Sequence, residues 1–205
     1  LYWRFFSKNS TKQNGLLLIA GYFFYSWWSW KFLLLFIGTS LIDFYAAQKI
    51  ENHSDPKKRK LFLGLSLSGN LLVLGFFKYY NFFVTEFANL FSLDPANLTL
   101  NIILPLGISF YTFQAMAYAI DVYRKTTKAE TNLLTYLLYS SFFPQMLSGP
   151  IERANRLMGQ FRVKREFNSA QATKGLELML FGYLKKVVLA DNLAVIADRG
   201  FSFPN

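Results

Sequence analysis

Cysteine is absent from the 205 residues, histidine occurs once, and charged residues of both signs make up only 17%. The first absence excludes disulfides, thiolate metal sites and cysteine nucleophiles. A lone histidine, His53, excludes a histidine cluster, and no metal site or bound cofactor is expected. The scarcity of charge beside 53% hydrophobic and 19% aromatic residues excludes an ordinary soluble domain. What is abundant points instead to an all-α, polytopic integral membrane bundle.

The 22 Lys and Arg exceed the 12 Asp and Glu, for a net charge of +10, and the excess is clustered. Basic clusters alternating with apolar runs are expected of cytoplasmic loops facing anionic lipid under the positive-inside bias, so membrane lipids rather than nucleic acid are the expected partners. Residues 15–30 and 32–48 form one apolar run broken only by Lys31. As a single helix it would extend about 50 Å against a hydrocarbon core of roughly 30 Å, which predicts two spans joined near Trp30 and Lys31. Trp27, Trp28 and Trp30 then form an aromatic belt at the turn. Residues 61–77 make a third span, with Gly64, Ser66, Ser68 and Gly69 as small packing surfaces. Residues 78–99 form an outer loop in which Phe83, Phe87 and Leu90 recur at helical spacing along the interface. Residues 100–123 are a fourth span, distorted at its outer end by Pro105 and Gly107.

The stretch 132–151 is apolar, yet the basic segments on both sides of it belong on the same face. A re-entrant or broken segment satisfies both, and Pro144, Gly149 and Pro150 are where such backbone would break. Broken backbone at membrane depth must be buried in protein or line a wet cavity. Residues 170–198 read as one helical run whose central Lys185 and Lys186 favour a shallow, interfacial or cavity-lining position over a plain span. The absence of repeats and linkers suggests one membrane domain over residues 1–205. The chain starts "LYWRFF" without Met and is read as an N-terminal and central fragment, with an apolar helix expected before Leu1.

Two constellations could carry chemistry. Tyr111, Gln114, Tyr118, Asp121 and Lys125 recur every three or four residues and share one helix face. Polar groups in a span face the bundle interior or a wet cavity, so the stripe could line a substrate path; the alternative is interhelical hydrogen-bond glue. Arg153 and Arg156 could hold phosphate of a donor or of lipid bidentately, or serve as ordinary positive-inside anchors. His53 lies in the polar loop "ENHSDPKKRK" with nothing to orient it as a base, and Asp43 and Glu177 are lone acids expected to pair with lysines.

"LPLGISFYTFQAMAYAIDVYR" at 104–124, "SFFPQMLSGPIERANRLMGQF" at 141–161 and "GLELMLFGYLKKVVLADNLA" at 175–194 resemble, in order, signatures of the membrane-bound O-acyltransferase family, and within it the alginate O-acetyltransferase branch of bacteria. That resemblance implies a multi-pass enzyme of the bacterial inner membrane. It would take acetyl from a cytoplasmic donor, acetyl-CoA, and pass it toward an exported polysaccharide with the help of an exported acetyltransferase partner. It also implies that Pro144, Gln145, Gly149 and Pro150 shape the active site, with Arg153 beside them. The family's essential histidine has no counterpart here: His53 does not match it, it is expected beyond Asn205, and the fragment alone is expected to be inactive. D-alanyl transfer to teichoic acid within the same family, and a transporter or channel built on the broken segment, are the alternatives.

Overall fold

The computed structural model describes residues 2–5, 9–94, 96, 98–146 and 150–202, and among them every regular element is helical. The chain divides into two compact units, residues 1–165 and 166–205.

The first unit begins with a short turn, α1 (Tyr2–Phe5), and then α2 (Ser10–Trp28). Asn9 starts α2 by accepting the backbone N–H groups of Thr11 and Lys12 at 2.8 and 3.3 Å, satisfying donors that a helix leaves orphaned. α2 stops at Ser29, whose extended backbone (φ −163°, ψ 118°) separates it from α3 (Trp30–Asn52). The break falls within two residues of the Trp30–Lys31 joint expected from helix length alone.

Asp55 accepts the Lys57 N–H at 2.9 Å and Pro56 fills the first helical position, where its missing N–H costs nothing; together they start α4 (Pro56–Leu74). α4 does not end at the expected outer loop. One π-helical turn at Gly75–Tyr79 leads directly into α5 (Tyr80–Leu90), so the helix runs on through Phe83 and Phe87. After it, Asn81 clamps the returning strand-like segment: its Nδ2 donates to the Leu100 carbonyl at 2.7 Å and its Oδ1 accepts the Leu100 N–H at 2.9 Å.

The expected helix over 100–123 is shorter than its apolar run. Pro105 and Gly107, the latter in the left-handed region at φ 69°, hold residues 100–107 non-helical, and α6 begins only at Ile108 and ends at Tyr123. The 132–151 stretch is broken into α7 (Leu133–Ser140) and the four-residue α8 (Phe143–Met146). At 1.5 Å per residue α7 is about 12 Å long, well short of a hydrocarbon core. An amphipathic α9 (Ala154–Arg162) follows, burying Leu157, Met158 and Phe161 on one face.

α3 packs against α4 and α6, and α2 against α7. Two apolar clusters result. One gathers Phe44, Ile50, Tyr118, Tyr136, Tyr139 and Phe161, with ring centroids of Tyr118 and Tyr136 at 5.2 Å. The other gathers Tyr25, Phe36, Leu74, Ile108, Tyr111 and Met146, with Phe36 edge-on to Tyr111 at 5.0 Å. Between them, on α3, α4, α6 and α7, lies a buried polar band of Ser40, Asp43, Ser66, Asn70, Gln114 and Ser140. Meanwhile Leu34, Ile42, Leu61, Leu65 and Leu72 point outward and are exposed. The helix Trp30–Asn52 and the continuous Pro56–Leu90 are each long and apolar enough to cross a membrane.

α2 and α9 are fastened by contacts far apart in sequence. Gln13 exchanges two hydrogen bonds with the Arg165 backbone at 2.8 and 3.1 Å, Asn14 donates to the Phe161 carbonyl at 2.9 Å, and the Arg165 guanidinium donates to Asn14 Oδ1 at 2.6 Å. The guanidinium also stacks over Phe161 at 5.7 Å.

The second unit contains α10 (Ser169–Leu184), a π-helical turn at Lys185–Ala190 and α11 (Asp191–Phe201). Lys185 and Lys186 fall on that turn. Lys186 pairs with Asp191 at 2.8 Å and Lys185 sits over the Phe181 ring at 4.5 Å.

Candidate functional site

The site builds from α6. Its spacing of Tyr111, Gln114 and Tyr118 sets all three inward, where they are buried, while Asp121 near the helix end is half-buried. Lys125 leaves the stripe: it lies past the end of α6, exposed, with φ 62°.

Tyr118 and Asp121 face a cavity of about 370 Å³ whose other side is Tyr139 and the segment Ile151 to Ala154, including Glu152 and Arg153. Two expected constellations therefore meet: the lower half of the polar stripe and the arginine that follows the broken segment. Tyr118 is fixed, because its hydroxyl accepts the Glu130 N–H at 2.8 Å. The Tyr139 hydroxyl reaches the Glu152 carbonyl at 3.4 Å, tying α7 to the far wall. Two acids, two phenols and a guanidinium around one partly open cavity can bind a polar group and orient it by hydrogen bonds.

Tyr111 and Gln114 line a smaller cavity of about 10 Å³ with Ser40, Asp43, Asn70 and Ser140, room for about one water molecule. Gln114 Nε2 donates to the Tyr139 carbonyl at 3.1 Å, and the Tyr111 hydroxyl is buried without a hydrogen-bond partner among the described residues. Pro144, Gln145 and Pro150 line neither cavity; Pro144 and Pro150 are exposed and the Gln145 N–H caps onto the Phe142 carbonyl at 2.9 Å. Gly149 lies outside the described residues. Arg156 is exposed and pairs with Glu152 at 3.7 Å. His53 caps the carbonyl end of α3, its Nδ1 2.7 Å from the Lys49 carbonyl and its ring 5.1 Å from Phe62.

Two acids read differently in the structure. Among the described residues Asp43 pairs with no lysine. Its Oδ1 accepts Ser66 Oγ and Asn70 Nδ2, both at 2.7 Å, within the polar band. Glu130, not singled out from the sequence, is 3% exposed; its Oε2 accepts Arg162 Nη2 at 2.7 Å and its Oε1 accepts the N–H groups of Thr131 and Asn132 at 3.0 Å. A signal for Asp43 existed: Thr39, Ser40 and Asp43 on α3, and Ser66 and Asn70 on α4, recur at helical spacing. Glu130 carried none, since its partner is thirty-two residues away. Glu130→Ala is expected to cost about 2 kcal/mol by leaving two backbone donors and the arginine unpaired, and Arg162→Ala less, because that guanidinium is half in solvent; thermal unfolding of the full-length protein in detergent checks the order.

Comparison with known proteins gives the chain its relatives. A probable alginate O-acetylase of Pseudomonas putida is 39% identical over 94% of this chain. The chain is homologous to the alginate O-acetylases. A peptidoglycan O-acetyltransferase of Helicobacter pylori is 35% identical over 96% of the chain. A teichoic acid D-alanyltransferase of Lacticaseibacillus rhamnosus matches only 41% of it, at 31% identity. The resemblance carried by the three motifs is thereby borne out. The chain spans about two fifths of the length of the O-acetylating relatives. No protein-family model and no solved structure matches it.

Proposed function

We propose that the full-length protein is a multi-pass O-acyltransferase of the bacterial inner membrane. It transfers acetyl from cytoplasmic acetyl-CoA to a hydroxyl of an exported polysaccharide, with an exported acetyltransferase as partner. The observation that carries this reading is near-complete alignment of the chain to O-acetylases of two exported polymers. The membrane reading is supported by the inside-out distribution of side chains: a polar band is buried while leucines and isoleucines face outward, which suits lipid and not water. In this reading the basic ends of the bundle are cytoplasmic, the broken α7–α8 segment enters and returns, and Arg153 beside Tyr118 and Asp121 holds the anionic end of the donor. The base that activates the accepting hydroxyl is a histidine outside these 205 residues, and water exclusion around the cavity protects the thioester from hydrolysis.

The test is complementation. A strain that exports its polymer without O-acetyl groups should regain them when the full-length protein and its partner are supplied. D-alanine esters in their place would support the teichoic acid reading, and no ester at all would sink both. In the same assay Asp121→Asn and Gln114→Ala should each lower ester content about tenfold, the equivalent of ~1.4 kcal/mol in the barrier. Normal ester content in both would return the stripe to helix-packing duty.

A further inference from the structure

A third cavity, at the basic end of the first unit, takes no part in that reading. It measures about 280 Å³ and is lined by Glu51, Arg59, Val122, Lys125, Thr127 and Lys128. Three cations face one acid. The acid is already engaged, since Glu51 Oε2 accepts the Ala129 N–H.

Arg59 forms a rigid wall. Its Nε donates to the Ile50 carbonyl at 2.9 Å, and its Nη2 to the Tyr123 and Val122 carbonyls at 2.6 and 3.4 Å, while the guanidinium lies over the Tyr123 ring at 5.3 Å. It thus ties together the carbonyl ends of α3 and α6, and among the described residues its charge has no carboxylate within ion-pair distance. Lys125 and Lys128 are exposed, and among the described residues neither has an ion pair.

The backbone supplies the second observation. Lys125 is held at φ 62° just past the end of α6, in a turn fixed by Lys125 N–H to Val122 O at 3.1 Å and Thr126 N–H to Asp121 O at 3.0 Å. A left-handed residue that closes a helix is ordinarily glycine, and a residue with a Cβ there costs about 1 kcal/mol. The turn would form more easily without a side chain, yet it carries an ammonium to the cavity mouth. A strained residue whose side chain faces a cation-rich cavity is a pointer to function.

We propose that this cavity binds a phosphate-ester anion, with Lys125 and Lys128 closing over it and Arg59 fixed behind. The volume admits a phosphate group and its ester neighbours but not a whole acyl-CoA, so a large ligand would be anchored here by phosphate alone. That chemistry has two sources: the nucleotide phosphates of a soluble acyl donor, or the headgroup of an anionic phospholipid. Only the first rests on the acetyl-transfer reading.

Binding by the full-length protein in phosphatidylcholine nanodiscs tests the proposal, with 3′,5′-adenosine diphosphate as the soluble probe. A parallel measurement counts phosphatidylglycerol retained from mixed nanodiscs by native mass spectrometry. The combined variant Lys125→Gly, Lys128→Gln should weaken one of the two about tenfold, and the arm that responds names the source. Lys125→Arg should keep binding. Because glycine relieves the left-handed strain, the thermal midpoint of Lys125→Gly should hold or rise, which separates lost binding from lost folding. Unchanged binding in both arms overturns the proposal. A site that still binds in a protein that acetylates no polymer would fell the acetyl-transfer reading and leave this one standing.

Discussion

Valine at Gly21 is expected to cost the full-length protein more stability than any other single glycine substitution in α2, α3 or α4. Gly21 is buried where α2 crosses the break between α7 and α8. A Cβ built there would lie 2.6 Å from the Ser141 carbonyl oxygen, closer than real Cβ atoms approach, with the Ser141 hydroxyl at 3.6 Å. That carbonyl is backbone and cannot swing aside. Ser141 is fully buried and doubly pinned, its N–H and its hydroxyl both donating to the Leu137 carbonyl at 3.0 and 2.7 Å. The helix pair must therefore separate, opening voids along Tyr25 and Met146. Gly21→Ala should cost about 2 kcal/mol and Gly21→Val about 3 or more, as overpacking of a close-packed interior does. Gly38→Ala and Gly64→Ala are the controls: a Cβ at either meets nothing within 4 Å, and each should gain up to about 1 kcal/mol from helix propensity. Thermal unfolding in detergent would read the series. Wild-type stability in Gly21→Val would mean that α2 does not approach Ser141 as described.

How much of this could be read from the residues alone depends on the range of the interaction. The joint at Ser29 was legible because it follows from arithmetic on helix length, and the start of α4 because Asp55 and Pro56 are local signals. The 132–151 stretch is broken as expected, but the break falls at Ser141–Phe142, ahead of Pro144, which lies inside α8 and so does not place it. The late start of α6 was legible in part: Pro105 and Gly107 marked a distorted outer end, but residues 100–107 are as apolar as a span and their pattern does not say that they stay non-helical. The continuity of α4 into α5 was missed for a related reason, since a π-helical turn at Gly75–Tyr79 re-phases the apolar face and hides the periodicity that would join the two. At the candidate site, helical spacing grouped Tyr118 with Asp121, and Arg153 drew notice only as an arginine beside the broken segment; that the three line one cavity is tertiary information. The clamp of Gln13 and Asn14 on Arg165 spans about 150 residues, and no local pattern announces it.

Asp43→Leu is expected to have the second large effect, and to be reversible by design. Asp43 is 1% exposed in the apolar middle of α3, and one carboxylate oxygen takes both the Ser66 hydroxyl and the Asn70 amide from α4. Removing it leaves the Ser66 hydroxyl and an Asn70 amide hydrogen, both on α4, without the buried acceptor they share. Interhelical hydrogen bonds in membranes contribute about 0.6 kcal/mol on average, but an orphaned buried donor costs about 1–3 kcal/mol, so the variant should lose about 2–4 kcal/mol. Asp43→Asn, which keeps an accepting oxygen, should lose about 1 kcal/mol. The distinguishing variant removes every partner: Asp43→Leu with Ser66→Ala and Asn70→Leu exchanges an unpaired network for an apolar contact and should recover most of the loss. If the full-length protein acetylates a polymer as proposed, acetylation by that triple variant separates two roles that stability alone cannot. If acetylation returns with stability, the polar band serves to register α3 against α4. If stability returns and acetylation does not, the Asp43 carboxylate is needed beside the small cavity it shares with Gln114 and Tyr111.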